Sequence, residues 1–125
     1  MNSAELEARL KSFAFRIVKV CEALPRNKIS KVIEDQLIRS SFSAAANYRA
    51  ACRGISKKSF VSKLSIAFEE SEESLFWVEV ISELQLIPSE KMNAVIKEAA
   101  ELAAILAAAR KTSQANVNKI LPIKS

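Results

Sequence analysis

The sequence predicts an all-α fold, an up-down-up-down antiparallel four-helix bundle, and three observations carry that expectation. First, the 125 residues include one glycine and three prolines, while half are apolar. Sheet proteins turn about every 8–12 residues and use Gly, Pro and Asn to do so. Second, apolar residues recur at alternating steps of four and three, the spacing that lines one face of a helix. Third, the breaks in that pattern at Pro25, Gly54 and Pro88 are short. Short connections force each helix to run antiparallel to its predecessor.

Asn2 caps a first helix over about residues 3–24, with Glu5 three residues on in a capping-box arrangement. Leu6, Leu10, Phe13, Ile17, Val20 or Cys21, and Leu24 form its stripe, and Pro25 ends it. Asn27 caps a second helix, about 28–53, with Ile29, Ile33, Leu37, Ala44, Tyr48 and Ala51 inward. Gly54 is read as its positive-φ terminator.

Ser56 caps a third helix, about 57–86, whose inner face is Phe60, Leu64, Ala67, Ser71, Leu75, Val78 and Ile81 or Ser82. Pro88 and Ser89 punctuate the chain again. The fourth helix, about 90–111, turns Met92, Val95, Ile96, Ala99, Leu102, Ala103, Leu106 and Ala109 inward. The pattern dissolves after Thr112, so residues 1–111 are read as the bundle and 112–125 as a flexible tail.

Composition excludes several function classes. There is no histidine, which removes His-dependent triads, most zinc sites and the Glu-x-x-His di-iron bundle. A single glycine cannot build a phosphate-binding loop. Cys21 and Cys52 lack metal-ligand spacing and sit in apolar stretches, so they read as buried core thiols. Glu69, Glu70, Glu98 and Glu101 recur at spacings ordinary for wet helix faces. No catalytic, cofactor or metal residue is therefore assigned. The N-terminus lacks a signal-peptide pattern, and the longest uncharged apolar run, Leu102 to Ala109, is too short for a bilayer. The expectation is a cytoplasmic protein that binds rather than catalyses.

The net charge of +5 is unevenly spread. Residues 1–58 carry 12 Lys/Arg against 5 Asp/Glu, and residues 59–101 carry 3 against 9. Part of this segregation implies pairing between a basic and an acidic helix. Gln36, Ser40, Ser43 and Asn47 form one polar stripe on the second helix, with Arg39 beside it. A hairpin centred near Gly54–Ser56 sets Arg39 against Glu70 and Glu73. A polar cluster of Gln36, Arg39, Ser43, Asn47, Glu70 and Glu73 follows, holding charges that would be costly if buried alone. The competing reading is that Arg39 grips a phosphate.

Arg49, Arg53, Lys57 and Lys58 cluster around the second turn, with Tyr48 close in sequence. Such an end could hold nucleic-acid backbone and stack a base. Its plain reading is a solvated hairpin tip. Ile38, Phe42, Phe76 and Trp77 exceed what one bundle core uses, and surplus apolar faces point to a partner, foremost another copy of the chain.

The run from Gln36 to Ala51, then Ser56-Lys-Lys-Ser-Phe60, then Lys63 to Trp77, resembles the four-helix-bundle proteins encoded in intervening sequences of bacterial 23S ribosomal RNA genes. The family's Gln-Leu-x-Arg-Ser-x-x-Ser-x-x-Ala-Asn falls on Gln36, Leu37, Arg39, Ser40, Ser43, Ala46 and Asn47. Its Phe-x-x-Lys and Glu-x-x-Glu-x-x-x-Trp fall on Phe60 and Lys63, and on Glu70, Glu73 and Trp77. The resemblance spans about residues 6–110. It departs at Ala50, where many relatives have Glu, which leaves the Arg49/Arg53 end more positive. It implies a homopentamer without catalytic activity. It also implies similarity to the accessory variability determinant proteins of diversity-generating retroelements, basic pentamers that bind a reverse transcriptase and nucleic acid. The partners expected are therefore further copies of the chain, RNA or DNA, and a protein such as a reverse transcriptase.

Overall fold

A computed structural model of the chain describes residues 1–120, with side chains through Asn118. Four helices account for it: α1 (Ser3–Glu22), α2 (Lys28–Cys52), α3 (Lys57–Glu83) and α4 (Ser89–Ile120). Neighbours in sequence pack side by side, and α1 meets α4 only loosely, so α1 and α3 stand diagonally across the bundle. Arg9 spans the loose α1–α4 side, 2.6 Å from Glu98 and 3.1 Å from Glu101.

The caps form as their residue types dictate. Asn2 Oδ1 accepts from the Glu5 amide at 2.8 Å, Asn27 Oδ1 from Ser30 at 2.9 Å, and Ser56 Oγ from Ser59 at 3.0 Å. Each satisfies one backbone donor that a helix start leaves open. Leu10, Ile17, Ile33, Leu37, Leu64, Val78, Ile81, Leu102 and Leu106 are fully buried on the four inner faces. Each such side chain contributes about 1.5–3 kcal/mol relative to exposure.

Ile29 departs from the expected inner face and is 43% exposed. The buried stripe instead runs through Ser30, Ile33 and Leu37, and Ile29 is rotated roughly 100° from Ser30.

The C-terminal boundary also differs. Helix α4 does not stop near residue 111 but continues to Ile120, so the predicted tail at 112–120 is helix. Residues 121–125 lie outside the described residues. The reason is geometric: α3 is 27 residues long, and α4 must run its full length to cover it. Ser113, Asn116 and Val117 line a groove with Lys57, Phe60 and Val61 at the start of α3. No proline or glycine interrupts the chain between Ser89 and Leu121, so the loss of apolar residues marks a wetter helix rather than its end.

Turn chemistry was expected at Gly54 and occurs elsewhere. Gly54 has no positive φ; among the described residues, Gln85, at φ 54°, is the non-glycine residue in the left-handed region. Gln85 closes a Schellman turn, with the Leu86 amide donating to Ile81 O and the Gln85 amide to Ser82 O, both at 3.0 Å. Gly54 answers a close approach instead. A Cβ there would lie 3.0 Å from Ser59 Oγ and 3.3 Å from Ala51 O.

Small residues bring α2 and α3 together. Ser40, Ala44, Ala67, Ser71 and Ser74 are all buried between them. The Ser40 and Ser74 hydroxyls bridge the helices at 2.9 Å, and Ser74 also donates to Glu70 O at 3.1 Å. Burying these hydroxyls is tolerable because both are bonded.

Candidate nucleic-acid interface

The up-down topology gathers the start of α1, the end of α2, the start of α3 and the end of α4 at one tip. Arg49, Arg53, Lys57 and Lys58 all project there and are exposed. Their electrostatic states differ. Arg53 Nη1 lies 2.8 Å from Glu7 on α1 and donates to Arg49 O at 3.2 Å. Arg53 therefore ties α2 to α1 and is partly neutralised. Arg49, Lys57 and Lys58 have no ion-pair partner among the described residues.

Lys57 and Lys58 open α3, whose first turn holds no acid. A helix N-terminus already carries partial positive charge, so these lysines add to it instead of balancing it. Helix α4 also brings exposed Lys111 toward the same end.

Beside the bases lies a hollow of about 430 Å³ lined by Ser3, Tyr48, Cys52, Ile55, Lys57 and Phe60. Tyr48 does not offer its ring for stacking: it is 5% exposed and belongs to the core. Its position on the α2 inner stripe decides this over its nearness to the arginines. Burial raises the Tyr48 hydroxyl above the usual phenol range. The tip presents Ile55 to solvent, fully exposed, and Met1 is exposed beside the start of α1.

The polar seam divides in two. Arg39 reaches Glu70 at 2.6 Å and Glu73 at 2.5 Å, and its Nε donates to Gln36 Oε1 at 3.2 Å. Trp77 Nε1 donates to the second Glu73 oxygen at 3.2 Å. Ser43 and Asn47 stand apart, with Asn47 donating to Ser43 O at 2.9 Å and Ser43 Oγ at 3.1 Å. A side chain spanning one helical turn meets its own helix before it can reach Arg39.

The Arg39 cluster is also wetter than a buried seam would be, because the Arg39 side chain is 46% exposed. Both carboxylates bond to its guanidinium, which leaves little of it to grip a phosphate. Its pKa rises through the hydrogen bonds to Glu70 and then Glu73. For Glu73, partial burial pushes upward, but the hydrogen bonds from Arg39 and Trp77 outweigh it, and the carboxyl ends below its ordinary value.

The four surplus apolar residues do not share a face. Ile38 packs against the core. Phe42 pairs with Phe15 of α1, their ring centroids 6.2 Å apart. Phe76 stands edge-on to Trp77 at 4.9 Å, and only Phe76 is well exposed, since Trp77 is half-buried. Phe15 was legible in the sequence as a large apolar residue lying off the Phe13–Ile17 stripe. Glu7 and the Ser40–Ser74 bridge had no local signal, because each depends on a second helix.

Burial pushes the Cys21 thiol up to about 11, and burial raises Cys52 as well. Neither is an activated nucleophile. Among the described residues no group of His, Cys, Asp and Glu is gathered to hold a metal. No described helix is long and apolar enough to cross a membrane.

The family model described as 23S rRNA-intervening sequence protein matches residues 5–108. A solved structure, described as a protein with unknown function from the S23 ribosomal protein family of Bacteroides thetaiotaomicron, is similar at 28% identity with a TM-score of 0.79. The match covers 89% of this chain and 99% of that one. No curated protein matches the chain.

Proposed function

The chain belongs to the 23S rRNA-intervening sequence protein family, and from that premise we propose a non-enzymatic, homo-oligomeric scaffold whose basic tip holds RNA or DNA by its phosphates. The observation that carries the reading is the exposure of Lys57 and Lys58, without ion-pair partners among the described residues, at the acid-free N-terminus of α3. Point charges on consecutive residues at an open helix start suit a phosphate backbone, which carries regularly spaced charge and demands no pocket. Assembly as a homopentamer in the cytoplasm would repeat the tip five times and sum its potential. The adjoining exposed rings of Phe15 and Phe42, and Phe76 beside Trp77, support self-association, because contiguous exposed apolar groups mark interaction surfaces.

The test is light scattering with and without nuclease, followed by titration of structured RNA and of duplex DNA across a salt series. Phosphate binding makes log K fall linearly with log salt, with a slope of about −0.9 per duplex phosphate neutralised. Binding that is absent, or that ignores salt, overturns the reading. A second reading, a partner protein such as a reverse transcriptase docked through exposed aromatics, rests on Phe42 and Phe76. Retention of such a protein after nuclease treatment, and its loss in Phe76→Ala, would favour it.

A further inference from the structure

Two aromatic patches stay outside the core, and the charges around them are opposite in sign. The first covers the groove between α1 and α2, where Phe15 is 55% and Phe42 37% exposed. Lys11 Nζ lies 5.9 Å from the Phe15 ring centre. The other charges within two turns of the pair are Arg9, Arg16, Lys19, Glu22, Asp35, Arg39 and Arg49; Arg9 is held by Glu98 and Glu101, and Arg16 is turned roughly 100° from Phe15. Lys19 meets Glu22 at 3.7 Å, Asp35 meets Lys31 at 3.1 Å, and Arg39 is held by Glu70 and Glu73. Lys11 and Arg49 have no ion-pair partner among the described residues, so this patch is positive.

The second patch is the outer corner of α3, where Phe76 is 54% exposed. Glu69, Glu72, Glu79 and Glu83 lie three, four or seven residues from it, which sets all four on its face. All four are exposed, and none has an ion-pair partner among the described residues. Arg39, the base opposite this stretch of α3, is occupied by Glu70 and Glu73. Because α1 and α3 stand diagonally, the two patches look away from each other across the bundle.

We infer that the Phe76 corner of one copy docks on the Phe15–Phe42 groove of a second copy, its glutamates against Lys11 and Arg49. This rests on the reading of the chain as a homo-oligomer and specifies how the copies meet. The charges select the mode. A two-fold contact through either patch would set like charges together: Phe76 on Phe76 faces two sets of four acids, and Phe15 on Phe15 faces unpaired bases. Joining unlike patches removes both conflicts and buries two exposed aromatics. Such a contact is heterologous, and its repetition closes a ring when the rotation permits.

The test is mass by light scattering on nuclease-treated protein, with helical content checked by circular dichroism. Glu72→Lys with Glu79→Lys, and separately Lys11→Glu with Arg49→Glu, each shift the mass toward the monomer. The chain carrying all four substitutions recovers the wild-type mass, because the patches have exchanged sign. Phe76→Ala also lowers the mass. An oligomer that ignores both charge reversals overturns this contact while leaving self-association standing, and so does dissociation that the fourfold exchange fails to repair. A wild-type chain that stays monomeric at every concentration overturns both.

Discussion

Arg39 of α2 and Glu73 of α3 are joined at 2.5 Å, and the same carboxylate accepts from Trp77 through its other oxygen. One residue thus registers two helices and orients an indole. Because the guanidinium is half exposed, its contribution is that of a surface network rather than a buried pair. Arg39→Met is expected to cost about 1–2 kcal/mol, since Glu70 and Glu73 are left more buried than Arg39 and without their partner. Chemical denaturation measures it, and a variant as stable as wild type would refute the registering role.

The lowered Glu73 pKa has a direction in pH. A depressed carboxyl contributes stability above its unfolded value of about 4.3 and loses it as pH falls through the folded value. Wild type should therefore lose stability below about pH 4.3 more steeply than Glu73→Gln. Parallel urea series at neutral and acid pH give the comparison.

Gln85 holds a left-handed conformation that costs a side chain about 1–2 kcal/mol and a glycine almost nothing. Glycine's greater unfolded-state entropy offsets part of the gain. Gln85→Gly should stabilise the chain by about 0.5–1 kcal/mol, seen as a higher melting temperature. A loss of stability would show that the Gln85 side chain has a role of its own.

Glu7 withholds Arg53 from the basic tip. Glu7→Gln should release it, strengthening nucleic-acid binding and steepening the salt slope by up to about one unit. Lys57→Ala and Lys58→Ala should each flatten the slope by a similar amount. Unchanged slopes in all three variants would move the interface elsewhere.

Cys21 is buried and its thiol is pushed up to about 11. At neutral pH it should resist an alkylating reagent in the native chain and react at once in denaturant. Prompt native-state labelling at Cys21 would mean that the α1–α2 end opens far more readily than its packing implies.

Much of the fold was legible because caps and apolar stripes are local. Asn2, Asn27 and Ser56 each serve the amide three residues on, a relation written in sequence spacing. The Arg39 cluster was legible because a hairpin of known centre converts residue number into distance. Tyr48 was half legible: its stripe marked it as core, while its neighbours suggested an exposed tip. The end of α4 was misjudged because sequence shows where apolar residues stop, not how long the neighbouring helix is. The Arg53–Glu7 pair was not legible, because the acid that meets Arg53 lies 46 residues away in sequence.

By itself, the sequence determined the four helices, their antiparallel order and the segregation of charge between α2 and α3. These follow from periodicity, breakers and composition, which act within one helix or across one turn. Tertiary structure alone decided which charges are spent. It joined Glu7 to Arg53 across 46 residues, left Arg49, Lys57 and Lys58 without an ion pair among the described residues, and set the two aromatic patches on different sides. The physical reason is that a side chain's free charge or free face is what remains after packing, and packing is settled between helices.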